Sequence, residues 1–161
     1  MTRFISAVAV AALGLATTSG CSISVDGDEK ESVTRQFGND YVGIGGMVNL
    51  TDPVAGDAFL AAGQISIASE VQGDLVAAGG EVSIGGSVGD DLYAAGGNVQ
   101  LDAMVTGNAR IAGGDVQVGP ATVIAGAVSL TGGRITFDGN SHGYLQASGA
   151  SVNLNGQVHG D

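Results

Sequence analysis

The sequence predicts an all-β chain folded as a single-stranded triangular β-helix, a solenoid of about seven 17-residue coils. Three observations carry that prediction. From Asp40 onward the chain repeats with a fixed period, its segments opening at Asp40, Asp57, Asp74, Asp91, Asn108, Ala127 and Tyr144, six of them 17 residues long and one 19. A period of this size that holds in whole columns marks a stacked-repeat architecture, in which no coil folds alone. Within each segment apolar residues recur two apart, which places them on one face of a strand. Glycine pairs return at one place in the repeat, in a chain with 29 glycines and two prolines among 161 residues, and mark where each coil turns.

Residues 1-20 precede this repeat. Arg3 and an apolar run from Phe4 to Ala16 lead into Thr17, Thr18, Ser19, Gly20 and then Cys21, the pattern of a secretory signal peptide whose apolar run is too short to span a membrane comfortably. Thr18-Ser19-Gly20-Cys21 resembles the bacterial lipobox, with Thr18 where an aliphatic residue is commoner. The resemblance implies that Cys21, the sole cysteine, becomes the lipidated first residue of the mature protein. The alternative is a secreted protein cut at the same place and left with a free thiol. Cleavage leaves four basic residues against sixteen acidic ones, a net charge of −12. So acidic a chain, with its few basic residues scattered, is excluded from binding nucleic acid.

Residues 21-32 carry Asp26, Asp28, Glu29 and Glu31 and read as a hydrated tether. The β-helix domain then occupies residues 33-161, with Val33 and Phe37 falling on slots 11 and 15 of a partial coil that precedes the first full one. Slot 9 of the full coils holds Val48, Ile65, Val82, Val99, Val116, Ile135 and Val152, and slot 11 holds Leu50, Ile67, Ile84, Leu101, Val118, Phe137 and Leu154. Slots 2 and 4 compensate in size, as in Leu75 with Ala77 and Ala109 with Ile111, which implies one shared buried volume. Slot 15 is Val or Ile except at Ser141, where Phe137 of the same coil is expected to fill the space. Each coil therefore reads as three short strands. Glycine pairs such as Gly79-Gly80 and Gly96-Gly97 make the first corner, where positive φ is expected. The two extra residues of the fifth coil lie near Gly119-Pro120-Ala121, and because proline cannot donate to a ladder they are expected in a protruding corner. Stacked at the spacing of paired strands, roughly 4.8 Å, seven coils would form a rod about 34 Å long.

The run GDLVAAGGEVSIGGSVGDDLYAAGGNVQL and its matching columns from Asp40 to Asp161 resemble the bactofilins, bacterial cytoskeletal proteins that polymerise and are built on a triangular right-handed β-helix. The resemblance covers most of the mature chain and implies a right-handed helix and a tendency to assemble end to end. The leader is a difference, since that family is typically cytosolic. Hexapeptide acyltransferases also form triangular helices, but on 18-residue coils of aliphatic-led hexads. Pectate-lyase-like enzymes need longer helices with clustered Asp, Lys and Arg. No nucleophile, base and orienting partner can be assembled from these columns, so the chain is expected not to be an enzyme and to need no cofactor.

Four surface features are candidates for function. Val42, Phe59, Val76 and Tyr93 form an outward apolar stripe in slot 3, before Arg110, Ser129 and Gln146 turn it polar. Such a stripe calls for a partner or for the tether folded over it. Slot 10 is an outward polar ladder of Asn49, Ser66, Ser83, Gln100, Gln117, Thr136 and Asn153, which could meet glycan hydroxyls and otherwise faces solvent. Asp40, Asp57, Asp74, Asp91 and Asn108 form a column that could hold calcium, although carboxylates bonding nearby backbone amides are the simpler account. His142 and His159, 17 apart, share a column on adjacent coils. Two ligands with only Asn140 or Gln157 as a third make a weak zinc or copper site, and from spacing alone a solvated pair is favoured.

The seventh coil has no visible cap over Leu145, Val152, Leu154 and Val158, so self-association through that end is expected. These features predict a lipid-anchored, non-enzymatic scaffold of the bacterial cell envelope, homo-oligomeric and exported to the periplasm-facing outer membrane. The alternative is a binding module that holds polysaccharide through the polar ladder or the Pro120 bulge.

Overall fold

The computed structural model describes residues 32–160. Alternation of apolar and polar residues on both sides of each glycine pair produces a long strand in every coil: β2 (Asp40–Leu50), β3 (Ala58–Ile67), β4 (Leu75–Ile84), β5 (Leu92–Leu101), β7 (Ala109–Val118), β9 (Val128–Phe137) and β11 (Leu145–Leu154). These strands pair in parallel with their neighbours one coil away, as in Leu75↔Leu92 and Val82↔Val99. Four two-residue strands, β6 (Met104–Val105), β8 (Val123–Ile124), β10 (Asn140–Ser141) and β12 (Gln157–Val158), form a second parallel sheet. Its column is continued by the bridges Val54↔Val71↔Val88↔Val105. The chain is thus an all-β solenoid of about seven turns at the predicted period.

The expectation of three short strands per coil is corrected in one respect. The first two segments belong to one strand, whose ladder omits a single residue at the corner: Ala62 pairs with Gly79 and Gln64 with Glu81, while Gly63 and Gly80 are skipped. The expected reason for the glycines is also corrected. Among the described glycines only Gly38, outside these corners, has positive φ, at 64°. Close approach makes the corners glycine: a Cβ on Gly80 would stand 2.8 Å from the Gly63 carbonyl oxygen, and one on Gly97 2.9 Å from that of Gly80. Coils stack there backbone on backbone, with no volume for a side chain.

Inside, slots 9 and 11 are buried from Val48 and Leu50 through Ile135 and Phe137, and slots 2 and 4 from Ala58 and Leu60 through Val128 and Leu130. Each fully buried Val, Leu or Ile stabilises by about 1.5–3 kcal/mol relative to exposure. Ser141 is fully buried with Phe137, and its hydroxyl donates to the Gly143 carbonyl at 2.9 Å. A further column of small inward residues, Ser69, Gly86, Ala103, Thr122 and Gly139, is buried at slot 13. Ser69 and Thr122 donate to the Asp52 and Leu101 carbonyls, both at 2.9 Å. At the insertion, Pro120 and Ala121 form an exposed turn, and the Thr122 amide returns to the Gly119 carbonyl at 3.1 Å.

The N-terminal end overturns the expected partial coil. Val33–Phe37 form β1, which runs antiparallel to β2 with Val33 opposite Ile44, Arg35 opposite Val42 and Phe37 opposite Asp40. Gly38 and Asn39 are the two residues of the connecting turn. Positive φ at the first central position is what a primed hairpin turn requires, and glycine supplies it without steric cost. The apolar spacing of Val33 and Phe37 comes from a hairpin strand, not from a stacked coil.

Candidate functional site

Slot 3 alternates with the buried slots 2 and 4, so Val42, Phe59, Val76 and Tyr93 face outward along the first segment of successive coils, with Val42 and Val76 half-buried and Phe59 and Tyr93 exposed. The structure widens this stripe. Slot 5 adds Ile44, 57% exposed, with Ala61 and Ala78, and a shallow groove is lined by Val42, Ile44, Phe59, Leu60, Ala61, Val76 and Ala78. Opposed residues of an antiparallel pair share a face, so Val33, Arg35 and Phe37 extend the stripe at its edge. The sequence reading missed this because it placed Val33 and Phe37 in a coil. The stripe ends where Arg110 donates to the Tyr93 hydroxyl at 3.0 Å and lies 5.4 Å from its ring centroid.

The slot-1 column resolves into a backbone cap. Asp40, Asp57, Asp74 and Asp91 each accept, through Oδ1, the amide of the residue one coil on, at 3.1, 2.9, 2.9 and 2.7 Å. Asn108 does the same for the Ala127 amide at 2.9 Å. Glycine precedes most of these positions because a Cβ on Gly56, Gly73 or Gly107 would collide with the carboxylate of the preceding coil. The Asn108 backbone amide holds the Asp91 carboxyl below its ordinary range, against the opposing effect of burial. Carboxylates used in this way have an Oδ1 already committed to the ladder, and no group of three or more His, Cys, Asp or Glu side chains suited to a metal ion occurs among the described residues.

On the second segment, slots 8 and 10 form a polar surface. Glu81, Ser83, Asn98, Gln100, Asp115 and Gln117 line a shallow groove there. Gln64 donates to Glu81 at 3.1 Å and Arg134 pairs with Asp115 at 2.7 Å, so the ladder is bonded from coil to coil.

At the C-terminal end the pattern of burial fails. Val152, Leu154 and Val158 are 37%, 52% and 42% exposed, in columns that are buried elsewhere from Val48 onward, and Leu145 is half-buried. Among the described residues nothing pairs with the outer edge of β11 or β12. His142 and His159, both exposed, are brought side by side with ring centroids 5.6 Å apart and planes tilted by 49°. The lipidation candidate Cys21, the leader and the tether up to residue 31 lie outside the described residues, as does Asp161. No helix of the described residues is long and apolar enough to cross a membrane. Comparison with protein-family models, with curated proteins and with solved structures finds no match.

Proposed function

We propose that this chain is a non-enzymatic scaffold of the bacterial cell envelope, bactofilin-like in architecture, anchored by lipid on Cys21 and associating with itself through its C-terminal coil. The observation that carries the reading is the contrast within single columns: Leu101 and Val105 are fully buried, whereas Leu154 and Val158, at the same slots, are about half exposed. An unpaired parallel edge beside exposed apolar side chains favours another such edge. Two copies meeting by this end form an isologous contact with two-fold symmetry. Lipid on Cys21 would hold the assembly at a membrane, which in this proposal is the periplasm-facing outer membrane.

The Cys21→Ser chain is expected to leave the membrane fraction and to sediment as a dimer at tens of micromolar, an ordinary range for a weak interface. Leu154→Lys in that background is expected to give a folded monomer. A Cys21→Ser chain that is already monomeric removes the scaffold, and an unmodified Cys21 in the intact mass of the membrane-extracted protein removes the anchor. A second reading, a polysaccharide-binding module, is favoured by the groove along Ser83, Gln100 and Gln117. A rise in melting temperature with an envelope glycan, with no change in sedimentation, would select it.

A further inference from the structure

We propose that the apolar face around Val42, Phe59, Val76 and Tyr93 rests on the lipid bilayer, so that the rod lies along the membrane to which Cys21 holds it. The inference rests on the lipid-anchor reading and adds a second contact to it. Slot 5 widens the slot-3 stripe with Ile44, and the hairpin strand β1 extends it with Phe37. Phe37 is 59% exposed, Ile44 57% and Phe59 43%, all on one flank at the N-terminal end of the rod. Aromatic and branched side chains exposed together on one face bury well at the boundary between lipid headgroups and acyl chains.

Charge selects the occupant. The chain holds 16 acidic residues, yet none stands in slot 3, in slot 5 or in β1. The margins of the face are basic instead. Arg35 lies opposite Val42 in the hairpin, and Arg110 closes the far end, its side chain 56% exposed with Asp91 at 4.0 Å. Guanidinium groups at the two ends of an apolar face match lipid phosphates at headgroup height, with their stems along the apolar surface. A second copy laid on the same face would meet them with no carboxylate in slots 3 and 5. The slot-1 carboxylates that border the face are turned to backbone amides one coil on.

The point of attachment selects the same face. Twelve residues, 21-32, connect the lipid to β1, a reach of at most about 40 Å fully extended and about 19 Å as a flexible coil. The stripe begins at β1 and turns polar at Ser129 and Gln146, so its apolar part lies at the anchored end. Lipid on Cys21 therefore holds the face at high local concentration above the bilayer, where a contact too weak to retain free protein becomes lasting. Laid this way, the rod keeps its long axis in the plane of the membrane and leaves the C-terminal coil at the side, open to another copy.

The chain lacks tryptophan and has a single cysteine, which gives a direct test. Mature chain lacking residues 1-20 is coupled through the Cys21 thiol to a maleimide headgroup lipid, in vesicles of phosphatidylethanolamine and phosphatidylglycerol. Reporters are Phe59→Trp on the apolar face and Gln100→Trp on the polar ladder. Lipid brominated in its acyl chains is expected to quench Phe59→Trp at least about twofold and to leave Gln100→Trp nearly unchanged, because only the apolar face reaches the acyl boundary. Arg35→Glu with Arg110→Glu in the Phe59→Trp chain should remove most of that quenching while the circular dichroism of the solenoid is kept. Equal quenching at the two reporters, or none at Phe59→Trp, overturns the proposal. Emission at Phe59→Trp that is already blue-shifted without vesicles and does not respond to them also overturns it, in favour of the tether or a second copy as the cover. Chemical coupling supplies the anchor, so these outcomes judge the face, whereas lipidation in the cell is judged by the intact mass.

Discussion

The two ends of the solenoid are built from the same repeat and are finished differently. At the N-terminal end the chain reverses at Gly38 and lays β1 antiparallel along the first half of β2, from Asp40 to Ile44, so the first segment of the first coil has a neighbour on both sides. A strand arriving from another molecule meets an edge that runs against the direction of every coil. At the other end β11 and β12 pair on one side only among the described residues, and Val152, Leu154 and Val158 stand in the open. The difference extends into the body of the rod. Slot 1 carries side-chain acceptors from Asp40 through Asn108, each bonding an amide one coil on, and then becomes Ala127 and Tyr144. Coils near the hairpin are stitched at their first residue, and coils near the open end are not. A repeat therefore specifies how coils stack and leaves to single residues how the stack is terminated and reinforced.

The largest effect that tests this contrast comes from one substitution made at two places in one column. Val99→Asp puts an unpaired charge between buried neighbours in a middle coil and is expected to destabilise by about 4 kcal/mol, whereas Val152→Asp, on the partly exposed terminal coil, is expected to cost about 1 kcal/mol. Equal urea midpoints for the two variants would mean that the seventh coil is as well covered as the fourth. Gln100→Asp, one residue further along and facing outward, should change the midpoint little.

A smaller effect comes from the stitched column. Asp74→Ala strands the Asp91 amide and should cost about 1–2 kcal/mol, while Asp74→Asn keeps the acceptor and should cost less than half as much. Acid provides the same comparison without mutation. Because its amide partner lowers the Asp91 carboxyl below its ordinary value of 3.8, the stabilisation is complete above that value and is lost as pH falls through the lower, folded-state one. Protection of the Asn108 amide, corrected for the intrinsic exchange rate, should then fall with acid, while that of the Ala127 amide, bonded to the untitratable Asn108 side chain, should hold as long as the coils stay stacked. Parallel loss at both amides before global unfolding would assign the acid response to some other group.

An effect of similar size but narrower reach isolates the hairpin. Gly38→Val forces a branched side chain into a left-handed conformation and should cost about 1–2 kcal/mol, spent on detaching β1. Faster exchange at β2 without a change at β11 is the expected result. A uniform loss along the rod would show that the hairpin and the coils unfold together.

Much of this was legible in the sequence because stacking repeats the same demand seven times. Slots 9 and 11 were readable from Val48 to Phe137 since a column that never admits a polar residue has only one physical explanation. The glycine pairs were readable as corners, but their cause was not: Gly80 is required by a carbonyl one coil below, and a contact between coils leaves the same letter as a positive φ. The slot-13 column escaped notice because Ser69, Gly86, Ala103 and Thr122 share smallness and not hydropathy. Val33 and Phe37 misled for a different reason. Alternation reports which face a residue occupies and says nothing about the direction of its partner, and Gly38-Asn39 was the local sign of a reversal. The apolar stripe was recognised at Val42, Phe59, Val76 and Tyr93, but its full width needed slot 5 and the hairpin.

The insertion at Pro120–Ala121 has a consequence for how such a rod accommodates change. Two additional residues leave the coil and return within one turn, and on either side the register is intact, with Val118 opposite Leu101 and Val123 opposite Met104. The corner behaves as a side port: material enters and leaves the backbone there while the stacking on either side keeps its count. A peptide grafted between Pro120 and Ala121 would project from the flank of the rod at a fixed height, which makes this position a handle for attaching a label or a ligand without disturbing either end.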